Sequence, residues 1–557
     1  MVEQSILTLG ESDQQLSNFD LHYPNTELVF GLVYAVGSDY GPVISFLKDQ
    51  TKLSGYTLNE VRISDYFTDT SNEFSVELEV TDETELGKID WKIKAGNKLR
   101  EATSRPDIWS MIASSKIFSG RKSEDAPLPL HRTAHVIVSL KRPEEVELLR
   151  RIYGSGFFLI GVFAGESERK KFLTGRKGLS DPEADSLIKR DQKEEGELGQ
   201  RTRDTFQMAD VFVSTDKVQY ERDLKRFLRL VFGDPFLTPT RDEHAMFLAY
   251  AASLRSGDLA RQVGAALTCS QGEVVALGCN DVPAPGGGLY WADDGDLDQR
   301  DHIKGFDSND RVKSEIIEDV LGKIKETIGE IGVFDGIEKE LRSILKIDSR
   351  IGQIAEFGRS VHAEMDALMA AGRTGISFRD ATLYTTTFPC HTCARHIIAA
   401  GLQRVVYIEP YPKSRAPELH DDAIHFEGDD AKPKAQRIPF KAFLGIGPRR
   451  FFDLFSLKLS AGYSIERKKD GKKMDWDLRC DSRPRVPMTP TSYLDREKLI
   501  STSLIKLKQN ATQQPRLQDS NEERKGVLDS PREDSPRGRK LAGMEDRKPH
   551  DRKQNTE

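Results

Sequence analysis

Two short segments of the chain have the residue types and spacing of a catalytic metal site. HAE (residues 362–364) precedes the apolar stretch MDALMAA, and PCHTC (residues 389–393) precedes ARHIIAAGL. One imidazole and two thiolates suit Zn²⁺, and a catalytic zinc site uses three protein ligands and leaves one position open. The spacing therefore predicts Zn²⁺ as cofactor, held by His362, Cys390 and Cys393.

The ligands are predicted to lie where helices begin. Cys390 and Cys393 are three residues apart, so a helix places both sulfurs on one face, and its N-terminus favours thiolates. Pro389 suits the start of a helix because its missing N–H is not needed there. Strands predicted at Thr382–Thr386 and Arg404–Ile408 flank this helix, while another helix begins near His362.

Glu364 is predicted to be the catalytic acid–base. It lies two residues after His362, so it need not be a ligand, and it could move a proton from water to a substrate ring nitrogen and to leaving ammonia. HAE followed by PCxxC is the signature of zinc nucleobase deaminases. Each segment alone has other interpretations: a lone CxxC is often a structural zinc half-site or a redox pair, and a lone histidine at a helix start is often a cap.

The composition favours a soluble protein with a small-molecule or protein partner. The net charge is −7, whereas chains that coat nucleic acid are usually basic. No apolar run approaches the roughly 18 residues of a membrane span, and the N-terminus does not resemble a secretory signal. The five cysteines form an odd, sparse set rather than a disulfide framework. We therefore expect a cytoplasmic protein without a membrane partner.

Alternating strands and helices predict two α/β domains. Residues 27–41 are typical of a buried strand that runs into a glycine turn, and a helix follows at Pro42–Leu53. Residues 178–203 are dense in charge and are predicted to form a mobile lid or loop. The predicted organisation is a polar arm (1–25), a nucleotide-binding domain (26–235), a zinc domain (236–465) and a largely disordered charged tail (466–557). A chain shortened from Ser501 onward is expected to keep its stability, zinc and activity.

Four segments of the zinc domain resemble deoxycytidylate deaminases. They are RSGDLARQVGA (255–265), GCNDVP (278–283), HAEMDAL (362–368) and TTTFPCHTCARHIIAAGL (385–402). With IVSLKRPEEVELLRRIYG (137–154) and RTRDTFQMADVFV (201–213), the chain resembles the bacterial two-domain deoxycytidine-nucleotide (dCTP/dCMP) deaminases of anti-phage defence. This resemblance implies an α/β fold, in which a P-loop kinase-like parallel-sheet domain precedes a cytidine-deaminase-like three-layer α/β/α domain.

The resemblance also implies a function and partners. The activity would be zinc-dependent hydrolytic deamination of free dCTP or dCMP to dUTP or dUMP, depleting the nucleotide pool during infection. The N-terminal domain would regulate it through a nucleotide effector, in a homo-oligomer with an inhibitory or activating partner. Asn280 would contact the nucleoside sugar or base edge, and Ala363 would present its backbone to the pyrimidine. A purely structural turn residue is the alternative for Asn280.

Gly37 and Gly41 are the predicted nucleotide contacts of the N-terminal domain. A P-loop has the pattern GxxxxGK[ST], in which the lysine and the hydroxyl serve phosphate and magnesium. Here the glycines are one residue closer together, and Pro42 and Val43 stand in the lysine and hydroxyl positions. We therefore expect no ATP hydrolysis. The loop either binds a regulatory nucleotide through backbone N–H groups or is a structural remnant.

Three other functions compete with this one. A polynucleotide cytidine deaminase would need an aromatic-lined basic channel, and no aromatic–basic interleaving flanks the zinc segments. A housekeeping dCMP deaminase would share the chemistry but act in nucleotide biosynthesis. A non-catalytic zinc scaffold would have no need of Glu364.

Overall fold

The computed structural model describes residues 26–78, 83–121, 127–193, 199–328, 333–354, 356–411, 414–426, 437–458 and 465–513. The predicted arm (1–25) and the last part of the predicted tail (514–557) lie outside the described residues.

The strands form two six-stranded sheets and a short hairpin. They are β1 (Leu28–Tyr34), β2 (Thr57–Arg62), β3 (Thr133–Val138), β4 (Phe157–Phe163), β5 (Val211–Ser214), β6 (Gly264–Thr268), β7 (Val274–Cys279), β8 (Thr382–Thr385), β9 (Arg404–Tyr407), β10 (Ile424–Phe426), β11 (Ile438–Ala442), β12 (Gly445–Ile446), β13 (Lys468–Lys469) and β14 (Lys472–Lys473).

The helices are α1 (Gly41–Leu53), α2 (Phe67–Glu73), α3 (Glu85–Thr103), α4 (Ile108–Ser119), α5 (Pro143–Tyr153), α6 (Glu166–Gly175), α7 (Asp181–Lys193), α8 (Thr202–Gln207), α9 (Lys217–Val231), α10 (Arg241–Ser253), α11 (Asp301–Lys304), α12 (Ser308–Ile328), α13 (Val333–Ser343), α14 (Ala363–Arg373), α15 (His391–Ala399), α16 (Ala416–Leu419), α17 (Phe451–Phe455) and α18 (Pro490–Gln513). None of the helices in this described part of the chain is both long and apolar enough to cross a membrane.

The N-terminal sheet is mainly parallel, with the order β12-β5-β4-β1-β3-β2. Strands β2 to β5 and β1 run parallel, and only β12 is antiparallel, pairing with β5. The central strand β1 has the sequence LVFGLVY and is almost wholly buried. A continuous apolar run is typical of a parallel strand that helices cover on both faces. Val29 and Val33 indeed join one apolar core, whereas Phe30 and Leu32 join another.

The second sheet has the order β10-β11-β9-β8-β6-β7 and lies between helices. Gly264 of β6 is paired with Cys279, and the adjacent Ala265 is paired with Gly278 of β7, so the two glycines face opposite sides of the sheet. A Cβ at Gly264 would meet α10, whereas a Cβ at Gly278 would meet α14. Helix, sheet and helix therefore form three layers, as the sequence predicts.

The chain returns to the N-terminal sheet sooner than the sequence predicts. Strand β11 ends at Ala442, and β12 begins at Gly445 on the edge of the N-terminal sheet. Farther on, Arg485 donates to the backbone oxygen of Asp234, and Thr26 donates to that of Met488. The predicted boundary at 465 is thus wrong, because residues from Gly445 complete the N-terminal domain.

Helix α18 also corrects the predicted tail. Its Glu497 binds Arg121 at 2.8 Å, and Arg121 in turn binds Glu27 at 2.8 Å, with all three side chains almost fully buried. Tyr493 donates to Glu27 at 2.7 Å, and Leu504 is 3% exposed. Residues 493–504 therefore dock on the N-terminal domain, and the expectation that a chain shortened at Ser501 keeps its stability is withdrawn.

Residues 178–203, predicted as a lid or loop, contain helix α7 instead. Ala184, Leu187 and Ile188 lie on one face of α7 and pack with Leu173 and Leu179 in a small apolar cluster. Three apolar residues at helical spacing bury one face of α7, and most of its charged residues lie on the exposed face, although Asp191 is buried and accepts from the N–H of Val36.

Candidate active site

The predicted ligands lie at the starts of two helices. His362 is the residue before α14 and Cys390 is the residue before α15, both with extended backbone conformations (φ −70°, ψ 151° and φ −67°, ψ 166°). Cys390 Sγ accepts a hydrogen bond of 3.4 Å from the backbone N–H of Cys393. The start of α15 thus stabilises a thiolate, as the sequence predicts.

The three donor atoms converge. His362 Nδ1 lies 3.4 Å from Cys390 Sγ and 3.3 Å from Cys393 Sγ, and all three ligand atoms lie within 4.8 Å of one another. Tetrahedral zinc with usual Zn–S and Zn–N bond lengths would hold a sulfur and a nitrogen about 3.6 Å apart. The donor types and spacing therefore fit zinc.

Glu364 lies beside this cluster. Cys393 Sγ donates to Glu364 Oε2 at 3.5 Å, and Glu364 is only 3% exposed. Burial raises the pKa of Glu364, which favours a carboxyl group that can accept and return a proton. His362 is exposed and Cys390 is half-buried, so the cluster opens to solvent on the side of the histidine.

The pKa values of the three ligand side chains are shifted in different directions. A hydrogen bond with Cys390 raises the pKa of His362 to about 8. Hydrogen bonds from Cys393 and His362 lower the pKa of Cys390 to about 3. The hydrogen bond to Cys390 and burial raise the pKa of Cys393 well above its usual range. Metal binding would therefore displace protons from His362 and Cys393.

Strand β7 packs very closely against α14 and so fixes the position of this helix. A Cβ at Gly278 would lie 2.3 Å from the backbone oxygen of Ala363 and 2.4 Å from the nitrogen of Ala367. Asp366 Oδ2 accepts a hydrogen bond of 3.2 Å from the backbone N–H of Cys279. Sequence reasoning missed Asp366, although its place in the HAEMDAL segment was a signal. The glycine and the carboxylate together hold the helix that carries Glu364.

Asn280 lies next to the histidine but turns its side chain inward. Its neighbour Asp281 forms an isolated β-bridge with Val361, the residue before His362. Asn280 Oδ1 accepts from the N–H of Val263 at 2.6 Å, and Nδ2 donates to the oxygen of Arg261 at 2.8 Å. The amide therefore shapes the 261–263 segment beside the site.

The second predicted substrate contact, Ala363, is fully buried at the first position of α14. Direct contact of the substrate with Asn280 and Ala363 stays a prediction.

The predicted phosphate loop follows β1. Gly37 has φ +86°, and a Cβ there would meet the backbone oxygen of Arg169 at 2.9 Å, so only glycine fits. Gly41 has no such constraint and is the first residue of α1. Asp39 pairs with Arg176 at 3.1 Å. Nucleotide binding by the two glycines also stays a prediction.

Comparison with known proteins gives the family. The profile described as "Cytidine and deoxycytidylate deaminase zinc-binding region" matches residues 239–409. The deoxycytidylate deaminase of Enterobacteria phage T2 is 32% identical over 170 residues, which are 30% of this chain and 79% of the phage protein. This chain belongs to the deoxycytidylate deaminase family.

Other members of the deaminase family are also similar. A probable deoxycytidylate deaminase of Drosophila melanogaster is 28% identical over 201 residues, covering 35% of this chain and 75% of that protein. A crystal structure of dCMP deaminase from the cyanophage S-TIM5 is 16% identical, with a TM-score of 0.19, over 37% of this chain and 99% of that one. The family match contains His362, Glu364, Cys390 and Cys393, and it begins at residue 239.

Proposed function

We propose that the protein catalyses the hydrolytic deamination of free deoxycytidine nucleotides, converting dCMP or dCTP and water to dUMP or dUTP and ammonia. The observation that supports this is the buried Glu364 carboxyl beside the His362, Cys390 and Cys393 cluster. A structural zinc site has no use for such a carboxyl, whereas a deaminase needs one proton carrier at this position.

Three of the site residues would bind the metal, and Glu364 transfers protons. His362, Cys390 and Cys393 would hold zinc, which supplies Lewis acidity that makes water nucleophilic near neutral pH. Glu364 takes one proton of the attacking water on Oε2 and gives it to the ring nitrogen. It then takes the second proton, from the hydroxyl formed on the ring carbon, and gives it to the departing amino group, which leaves as ammonia. Its raised pKa suits both steps, since the same group must accept and release the proton.

The biological role that we propose is depletion of the deoxycytidine nucleotide pool in anti-phage defence, regulated by the N-terminal domain. The resemblance of residues 27 to about 460 to two-domain defence deaminases supports this role. The short connection between β11 of the second sheet and β12 of the N-terminal sheet supports regulation, because it links the two domains structurally.

The decisive experiment compares Glu364→Gln with Glu418→Gln, an exposed glutamate on α16. Purified variants are incubated with dCMP, dCTP and single-stranded DNA, and uracil products and bound zinc are measured. We expect Glu364→Gln to keep one zinc per chain and lose roughly 10²–10⁴-fold in turnover or more, and Glu418→Gln to match the wild type. Turnover by Glu364→Gln near the wild-type rate would refute the mechanism. Deamination of DNA alone would favour the polynucleotide deaminase.

A further inference from the structure

A cavity with about 220 Å³ of accessible space lies at the carboxyl ends of β1 and β3, in the N-terminal domain. Carboxyl ends of parallel strands are where α/β sheets bind ligands. Among the described residues that line it, five carry positive charge and none is acidic: Arg62, Lys92, Arg100, Lys141 and Lys177. Arg62, Arg100 and Lys177 form ion pairs with Glu60, Glu145 and Glu85, whereas among the described residues no ion pair is formed by Lys92 or Lys141.

Lys141 and Arg100 are both buried cations of the cavity, and Arg100 is paired with Glu145. Lys141 is 7% exposed, its Nζ donates to the backbone oxygen of Tyr34 at 2.5 Å, and it lies 4.7 Å from the centre of the Tyr34 ring. An ammonium has three donors. Burial lowers the pKa of Lys141, although the carboxylates of Asp191 and Glu145 oppose this shift, and an anion in the cavity would further stabilise the charged ammonium.

A buried hydroxyl also lacks a partner. Ser38 Oγ lines the cavity, its residue is 3% exposed, and no hydrogen-bond partner for it exists within the described chain. An unmade buried hydrogen bond typically costs about 1–3 kcal/mol, so such atoms mark sites that a ligand completes. Ser139, at the end of β3, lines the same cavity with φ +79°, a strained value for a residue with a side chain.

The rest of the wall is aromatic. The rings of Tyr34 and Tyr40 stack with centroids 4.2 Å apart, and Phe67, Trp109 and Phe172 also line the cavity. Cations beside aromatic walls are complementary to a phosphate attached to a planar base. Of the predicted glycine loop, Gly37, Ser38 and Tyr40 line this cavity, whereas Gly41 does not.

A chain of contacts leads from the cavity towards the zinc cluster. Val36, in the cavity wall, donates its N–H to Asp191 Oδ2 at 2.9 Å. Tyr411 donates to the backbone oxygen of Asp191 at 3.1 Å and is 2% exposed. Three residues later, Ser414 donates to the backbone oxygen of Pro389 at 3.0 Å, and Pro389 directly precedes Cys390.

Arg169 reinforces this route at the cavity wall. It donates to the backbone oxygen of Val36 at 3.4 Å, and its guanidinium lies 5.7 Å from the centre of the Tyr411 ring. Two buried residues, Arg169 and Asp191, therefore contact both Val36 in the cavity wall and Tyr411 on the route to the zinc cluster.

We propose that this cavity binds a nucleotide, with phosphate on Lys141, Lys92 and Ser38 and the base against the aromatic wall, and that its occupancy changes deamination through Asp191 and Tyr411. The regulatory half of this proposal rests on the proposed deaminase activity. Asp191 and Tyr411 act as positioning residues, since neither touches the substrate.

The first experiment measures binding without turnover. Zinc-loaded Glu364→Gln protein is titrated by calorimetry with ATP, GTP, dTTP and inorganic tripolyphosphate. We expect one site per chain for at least one nucleotide, weakened about tenfold by Lys141→Met or Lys92→Gln, since each removes a charge-assisted contact. Lys94→Gln is the matched control, because Lys94 is an exposed neighbour on α3 outside the cavity.

Several results of this titration would overturn the proposal. They are no nucleotide binding, equal binding by the Lys92→Gln and Lys94→Gln proteins, and tripolyphosphate binding as tightly as the nucleotides. Lys92 is exposed, so its variant tests the site even where Lys141→Met fails to fold. Because the assay uses an inactive protein, its outcome is independent of the proposed activity.

The second experiment measures coupling. In the otherwise wild-type chain, the bound nucleotide should change kcat/KM for dCMP about fivefold or more, in the usual range of allosteric coupling. Tyr411→Phe removes only the hydroxyl that contacts Asp191. We expect its nucleotide Kd to stay within about twofold while the effect on kcat/KM disappears. An undiminished effect in Tyr411→Phe, or none in the wild type, would refute the coupling.

Discussion

Replacing Gly278 by alanine should displace the catalytic carboxyl without touching it. The new Cβ would lie 2.3 Å from the backbone oxygen of Ala363, where ordinary contact begins near 3.4 Å, so α14 must move by about 1 Å. Strand β7 is the edge strand of its sheet and is held on one side by β6, where Gly278 is paired with Ala265, so we expect the helix to take up most of the movement. The moving helix carries Glu364 at its second position.

A shift of about 1 Å in a catalytic group can cost about 10²-fold in rate. We therefore expect Gly278→Ala to lose about 10²-fold in kcat for dCMP while it still folds. The control is Gly372→Ala on the same helix, where a Cβ would meet nothing within 4 Å. This variant should keep its activity and gain up to about 1 kcal/mol in stability.

The assay is steady-state ammonia release at saturating dCMP, with zinc content and Tm measured on the same samples. A Gly278→Ala enzyme within about twofold of the wild-type kcat would refute the argument that β7 sets the position of Glu364. Equal losses in Gly278→Ala and Gly372→Ala would show that α14 tolerates no substitution at all, and would equally contradict the reasoning from contact distance.

Three further predictions concern the C-terminal helix and the buried charges beneath it. Glu497→Gln weakens two buried hydrogen bonds and should cost about 3 kcal/mol, or roughly 3 °C in Tm for a unit of this size, whereas the exposed Asp495→Asn should change little. Equal Tm values for the two variants would contradict this. Removing residues from Ser501 onward exposes the pocket of Leu504 and should lower Tm by several degrees, which a calorimetric scan of both chains checks. Burial opposes ionisation of Glu27, but hydrogen bonds from His135 and Arg121 prevail and lower its pKa from 4.5 to about 2. Its contribution is therefore present above about pH 4.5 and lost as pH falls towards 2, so urea midpoints of the wild type and Glu27→Gln should converge in acid.

The chemistry was predictable from sequence because it depends on local spacing. His362 and Glu364 are two residues apart, Cys390 and Cys393 are three apart, and both pairs lie at helix starts in the structure. Residue type and spacing are therefore enough to identify such a site, and the three-layer fold then brings its donor atoms together. Strand β1 was also predictable from local sequence, since LVFGLVY is an almost continuous apolar run.

The parts that sequence reasoning missed depend on partners far away in the chain. Helix α18 looks polar from its own residues, and its burial becomes evident only when Glu497 is seen against Arg121, 376 residues earlier. Strand β12 has only two residues, too few for any periodic signal. Asp366 and Gly278 are ordinary residue types whose roles arise from the close approach of β7 and α14.

The junction between the two sheets explains why a domain boundary drawn near residue 235 does not separate independent parts. Glu243, 2% exposed at the start of α10, accepts from Arg226 of the N-terminal domain at 2.8 Å and from the N–H of Ile446 in β12 at 2.9 Å. It also accepts from the N–H of Thr240, which completes the cap of its own helix. One buried carboxylate therefore caps the first helix of the zinc domain, pairs with α9 and holds β12 on the N-terminal sheet. Cutting the chain at residue 235 would leave this carboxylate without Arg226 and β12 without β5, so an isolated zinc domain would lose both a buried ion pair and a strand partner.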